Sequence, residues 1–237
     1  MSIDKNNRTT AKVGLYSSLA LAMLTLITFF LGMMAVPPAG PYCLGNCMDY
    51  PFSDLLRNYP RDYFWMYFAI FQLFAFIVFM VSNHYNASQE KRIFSFISIS
   101  FGLIAATVLL ITYFTQFAIV PISMMKEETE GIALITQYNG HGIFVAMEEL
   151  GYILMSLALF FLVPVFTKSS RLERAIRLIL IIQLVLMVLS FILYSIKFGI
   201  DRSYRFEVAA ISICWLSLIV LGILLSIYYN RLKKAIQ

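Results

Sequence analysis

Six stretches of the chain stay apolar long enough to cross a lipid bilayer. They are Val13 to Val36, Tyr63 to Ser82, Ile93 to Val120, Ile143 to Phe166, Ile176 to Ile196 and Val208 to Tyr229. A hydrocarbon core about 30 Å thick takes roughly 20 apolar residues per helical crossing. Each run meets that length, and each is bounded by charge, proline or a polar turn. Lipid offers no water to backbone groups, so such runs span as helices. The alternating ten-residue segments of a β-barrel are absent. The first run is too long for the apolar region of a signal peptide and has no small-residue cleavage site after it, so it reads as a retained helix. The pattern predicts an all-α, polytopic membrane protein. It is one domain over 1–237, a bundle of six transmembrane helices (13–36, 63–82, 93–120, 143–166, 176–196 and 208–229) with an outer cap at 37–62.

Composition narrows the class further. Of 237 residues, 60% are hydrophobic and 13% charged, with a mean hydropathy of +0.80. Soluble domains carry about a quarter charged residues. These values exclude an ordinary cytosolic enzyme, a disordered chain and a domain that binds nucleic acid through a water-facing basic surface. The implied partner is the lipid bilayer.

The net charge of +5 matters less than where the positives fall. Lys5, Arg8, Lys12, Lys91, Arg92, Lys168, Arg171, Arg174, Arg177, Arg231, Lys233 and Lys234 share one side. Arg57, Arg61, Lys126, Lys197, Arg202 and Arg205 share the other. The positive-inside rule makes the richer side cytoplasmic and puts both termini there.

Irregular sequence gathers on the outer side. Pro37, Pro38, Pro41, Pro51 and Pro60 all fall in the first outer loop, which rules out continuous helix and predicts a folded cap with a helical turn near Ser53 to Arg57. Pro121 to Tyr138 forms a second outer segment, with Ile132, Leu134, Ile135 and Tyr138 placed for an amphipathic turn. Cys43 and Cys47 lie four apart in the cap, on the oxidising side, and predict a small structural disulfide. Cys214 lies within the sixth helix and cannot serve as a resolving thiol for a redox relay.

The polar residues that enter the membrane concentrate in Gln137-Tyr138-Asn139-Gly140-His141-Gly142 and the fourth helix that follows. Asn139 is the expected N-cap. At about 100° per residue, His141, Glu148 and Tyr152 share a stripe about 40° wide, with Glu149 about 100° round from Glu148. On that basis Glu148 faces inward and Glu149 is the more replaceable. Glu148 sits roughly 7 to 8 Å below Ile143, where an ionisable group is costly unless it faces a cavity or a partner. The competing reading is that both glutamates are hydrated and merely anchor the helix start.

Tyr113 and Gln116 of the third helix reach similar depth, with Lys197 available as counter-charge. The candidate ligand-binding set is His141, Glu148, Glu149, Tyr152, Gln116 and Tyr113. Tyr63, Trp65 and Tyr67 read as aromatics of the membrane interface. No metal site is expected, because the only other histidine, His84, falls on the cytoplasmic side and no HExxH motif is present. No Walker loop, GxSxG elbow or dinucleotide fingerprint appears, so no cofactor and no catalytic residue is predicted. Gln72 and Gln183 occupy matching runs in the second and fifth helices, a thin basis for an inverted repeat. The first helix has no GxxxG.

The runs Asn139 to Phe144 and Glu148-Glu149-Leu150-Gly151-Tyr152-Ile153-Leu154-Met155-Ser156 resemble an uncharacterised family of bacterial multi-pass integral membrane proteins. The resemblance covers about a tenth of the chain, over the fourth helix. It implies a bacterial inner-membrane location and no particular activity.

The function that fits these features is binding of a small molecule or lipid in an outward-facing polar chamber beside the fourth helix. A secondary transporter or channel would need a polar path onward to the cytoplasm, where the inner halves of the helices offer little beyond Gln183. An enzyme would need a nucleophile or a metal beside Glu148. A structural or receptor-like partner would use the cap and need no chamber.

Overall fold

The computed structural model describes residues 2–35 and 39–235. Val36, where the first apolar run was expected to end, and its predicted stop at Pro37 and Pro38 lie outside the described residues. Eight α-helices follow in order: α1 Ser2–Met34, α2 Phe64–Asn86, α3 Arg92–Ala118, α4 Val120–Met125, α5 Ile132–Ile135, α6 Ile143–Phe161, α7 Arg171–Phe198 and α8 Ser203–Ala235. Among the described residues there is no strand.

Among the described residues, five helical stretches are long and apolar enough to cross a membrane: Arg8–Met34, Arg61–Asn86, Gln89–Met125, Ile143–Val165 and Arg171–Ala235. The sequence pattern predicts six. The difference lies in the last stretch, 65 residues long, where α7 and α8 are joined through a 3-10 turn, Gly199–Arg202, with no helix-free gap. Gly199 caps α7 at φ 56° and ψ −123°, a backbone state that side-chain-bearing residues avoid. The reversal there lets α8 pack back along α7.

Helix packing places α1, α2, α3, α6 and α8 in a ring, closed by α8 against α1. Among the long helices α7 packs chiefly against α8 and α6, and it lies on the flank. Its apolar side chains, Leu178, Val185, Leu189, Leu193 and Ile196 among them, are exposed as a lipid-facing helix requires.

The α1–α8 seam is built from small residues. A Cβ at Gly222 would stand 2.7 Å from the Ser18 carbonyl oxygen and 2.8 Å from Ala22 Cβ, so only glycine permits this approach. Gly14, Ser18 and Ala22, four apart, form the facing stripe. This is the small-xxx-small logic of membrane helix packing without a GxxxG.

The two ends of the bundle differ. At one end the first loop and the 120–138 segment build a cap around Ala39, Phe52, Leu55, Val120, Ile132 and Tyr138. The helical turn expected near Ser53 to Arg57 is a 3-10 turn, Leu55–Asn58, and the expected amphipathic turn is α5, which buries Ile132 and exposes Leu134. A disulfide joins Cys43 to Cys47 in this cap. At the other end, Tyr229 Oη donates to Asn83 Oδ1 at 3.1 Å, and Asn83 Nδ2 donates to the Phe79 carbonyl at 2.8 Å. Arg177 Nη1 ties the Val163 and Phe166 carbonyls at 2.8 Å each. Ser170 caps α7 by accepting from Glu173 N at 3.1 Å, and Glu173 accepts from the hydroxyls of Thr167, Ser169 and Ser170 in return.

Candidate functional site: an acidic, aromatic chamber under the cap

The capped end does not close. A cavity of about 290 Å³ lies between α1, α8, the N-terminal end of α6 and the cap. Spacing explains its walls. Tyr204, Glu207, Ile211 and Trp215 recur every three or four residues, and so share one face of α8. Phe144 and Glu148 do the same on α6. Phe29, Gly32 and Met33 of α1 close a third side, and Tyr42, Asp62, Trp65, Gln137 and Tyr138 complete the chamber from the cap and the start of α2. Met33, Tyr42 and Val208 are exposed, which sets the mouth where the end of α1 faces the start of α8.

Three carboxyls line this space, and all are buried: Asp62 at 2% exposure, Glu148 at 1% and Glu207 at 5%. Among the described residues, no Lys, Arg or His lines the chamber. Asp62 is provided for, since Arg61 Nε donates to Oδ1 at 2.9 Å and the Tyr138 hydroxyl faces Oδ2 at 3.4 Å. Burial, with Tyr63 and Asp62 beside it, lifts the Tyr138 hydroxyl well above its ordinary value, so it stays a donor. Glu148 and Glu207 have no such counter-charge. The two carboxyls stand beside one another, with the Tyr113 hydroxyl next to Glu148. Glu148 Oε1 and, nearby in the lining, Gln137 Nε2 are buried without a hydrogen-bond partner. Adjacent buried carboxyls need their charge neutralised, by a shared proton or by a cation.

A short relay runs behind Glu148. Trp215 Nε1 donates to Tyr152 Oη at 2.9 Å, and Tyr152 Oη meets Tyr113 Oη at 2.7 Å. Indole nitrogen is a donor only. Trp215 therefore donates to Tyr152, whose own hydroxyl is paired with that of Tyr113.

The residues singled out in the sequence divide accordingly. Glu148 forms the wall, with Tyr113 and Tyr152 directly behind it. Gln116 lies outside the chamber, where it holds the cap: its Nε2 donates to the Ile135 carbonyl at 2.5 Å, and its Oε1 accepts from Gln137 N at 2.8 Å. Glu149 turns away and pairs with Arg202 Nη1 at 3.0 Å. The Arg202 guanidinium also lies 4.5 Å over the Phe191 ring. Glu149, expected to be the more replaceable carboxylate, thus has an ion-pair partner on α8's side of the bundle. Lys197 sits over Phe198, so the counter-charge on this face is Arg202 instead.

His141 is exposed and absent from the lining. The helical stripe does not extend to it, because α6 begins only at Ile143 with Gly142 as N-cap. Asn139 is not the cap; its Oδ1 accepts from His141 N at 3.2 Å and its Nδ2 donates to the Ala133 carbonyl at 2.8 Å, an Asx turn stitched to α5.

Tyr63 and Trp65 are buried at 0% and 8%, not spread at a membrane interface: Trp65 packs on Tyr113 and Trp215, and Tyr63 on Tyr59 of the cap. The main residue missed in sequence is Glu207. It lies one position before the last apolar run, and reads there as loop. The signal that finds it is the 204–207–211–215 stripe. Among the described residues no group of three His, Cys, Asp or Glu side chains is arranged to hold a metal ion.

No family model matches the chain, and neither a curated protein nor a solved structure is significantly similar to it.

Proposed function

We propose that this is a six-crossing membrane protein that holds a small molecule in the chamber under its cap, with the cap outside and both termini in the cytoplasm. The α7–α8 hairpin supports six crossings. Each arm is long enough to span alone, at 28 and 33 residues, and the arms pack side by side. The 12-to-6 distribution of Lys and Arg supports the orientation.

The observation that carries the binding role is Glu148. It is a buried carboxyl with an oxygen left without a partner, in the wall of a cavity of ligand size. Membrane-embedded acids without partners are functional by default. A transport cycle has less in its favour, because below Trp215 the core passes into Leu109, Leu218, Leu221 and Leu225, all fully buried, and the far end is hydrogen-bonded shut.

The chain has two tryptophans, and both line the chamber, so its occupancy reads out in intrinsic emission. Acrylamide quenches that emission in the wild type and does so several-fold less in Gly32→Leu, whose new side chain enters beside Trp215. Equal quenching in both proteins overturns the chamber. Orientation is tested by Glu128→Cys, which a membrane-impermeant thiol reagent labels from outside intact cells; labelling only after lysis inverts the topology.

A further inference from the structure

We infer that the chamber selects an organic ammonium group, carried by an amine or quaternary amine with an apolar body. The inference rests on the reading of the cavity as a binding site, and adds the chemistry of what enters.

Three features converge on that class. First, Glu148 and Glu207 line the same chamber, with no basic residue in the lining among the described residues, and Glu148 Oε1 is buried and unpartnered. The guanidiniums on this side are committed elsewhere: Arg61 pairs with Asp62, and Arg202 pairs with Glu149 and lies over the faces of Phe191 and Phe206. A cation placed between the two carboxyls supplies the missing charge.

Second, the remaining walls are aromatic. Trp65 and Trp215 stand 5.9 Å apart at 62°, with Phe29, Phe144 and Tyr204 also lining the space. Aromatic faces attract a cation through their quadrupole, Trp most strongly, and accept alkyl groups as readily. This wall has little to offer a phosphate or carboxylate, which the paired acids repel.

Third, the donor set argues against a bare metal ion. Calcium takes six to eight oxygens and magnesium a near-octahedral shell. Here the acids do not cluster in threes among the described residues, and most of the lining is carbon. An ammonium group needs only one or two carboxyl oxygens and is satisfied by ring faces elsewhere.

The same headgroup chemistry belongs to free amines and to aminolipids. The mouth between Met33 of α1 and Val208 of α8 admits either.

The test uses the full-length protein in maltoside micelles, which carry no ammonium group. Choline is compared with 3,3-dimethylbutan-1-ol, which has carbon in place of the charged nitrogen. Choline shifts tryptophan emission saturably, and the neutral isostere leaves it unchanged at ten times the concentration. Glu207→Gln and Glu148→Gln each weaken the choline response at least tenfold, while cooperative melts show that both variants are folded. Equal responses to choline and the isostere, or unaltered choline binding in both folded Gln variants, overturn the ammonium assignment and leave the chamber standing. No response to choline also overturns it, and acrylamide quenching of wild type against Gly32→Leu then decides separately whether the chamber itself survives. Added phosphatidylethanolamine that displaces choline, where phosphatidylglycerol does not, assigns the site to a lipid headgroup; no displacement by either assigns it to a free amine.

Discussion

The two ends of the bundle bury polar side chains in similar company and treat them differently. At the far end, Asn83 and Tyr229 are both fully buried and bonded to each other, Asn86 bonds Tyr228 at 3.1 Å, and His84 meets Ser95 at 2.8 Å. At the capped end, Tyr63 Oη, Gln137 Nε2, Glu148 Oε1 and Glu149 Oε1 are all buried without hydrogen-bond partners. A satisfied buried network holds a structure together, and an unsatisfied one costs stability. The contrast separates groups that serve the fold from groups held for something outside the chain. Glu149, which keeps one oxygen on Arg202, belongs in part to both.

That contrast can be broken at the seam which both ends share. Gly222→Leu drives a side chain into the Ser18 backbone, and overpacking of this kind costs roughly 1 to 3 kcal/mol or more. Loss of monodisperse protein on size-exclusion chromatography is the expected result; a normal profile would mean that α1 and α8 are not closely apposed.

At the far end, Tyr229→Phe strands Asn83 Oδ1 and should cost about 1 to 3 kcal/mol, a fall of several degrees in the melting temperature. At the capped end the sign reverses. Glu207→Gln removes a buried acid from a mismatched pair and should raise the ligand-free melting temperature, by about 2–4 °C for each kcal/mol gained in a chain of this size. Parallel scans of the two variants sharpen the comparison most directly, and a loss of stability in Glu207→Gln would place that residue with the structural groups. The smallest effect belongs to the cap. Breaking the Cys43–Cys47 bond reopens only a very short loop, worth about 2 kcal/mol at most on chain entropy. Thiol labelling should find both cysteines blocked until reductant is added, and the melt of the helical core should then move by no more than a few degrees.

Much of the fold is legible in the sequence because hydropathy in a membrane protein reports burial in lipid: α6 lies within the apolar run that announces it, and α1, α2 and α3 overlap theirs while running past them into polar residues at one end. The site is less legible. Glu148 stands out because a charge inside an apolar run is conspicuous. Glu207 does not, since α8 starts at Ser203, before the run turns apolar. His141 joins the stripe in sequence only by extending helical periodicity across Gly142, where the chain is still turning and α6 has not begun. Trp65 is discounted because an aromatic at a helix end looks the same whether it faces headgroups or a folded cap, and only the tertiary position of residues 39–62 distinguishes them. The pairing of Gln72 with Gln183 dissolves for a related reason. Gln183 exchanges two hydrogen bonds with Ser156, whereas Gln72 Oε1 has none, and Gln183 sits on the flanking helix α7 while Gln72 sits on α2 of the ring.

Closure of the ring by α8 against α1 has a consequence for biosynthesis. A ribosome adds roughly 5–20 residues per second, so α1 enters the bilayer well before the helix it must pack against exists. Until Ser203 and beyond emerge, its small-residue stripe has no partner on α8, and Glu148 sits in an open intermediate that has four of the ring's five helices. The chamber is therefore the last part of the molecule to come into being. A nascent chain halted between α7 and α8 would carry every predicted binding residue of the fourth helix and bind nothing.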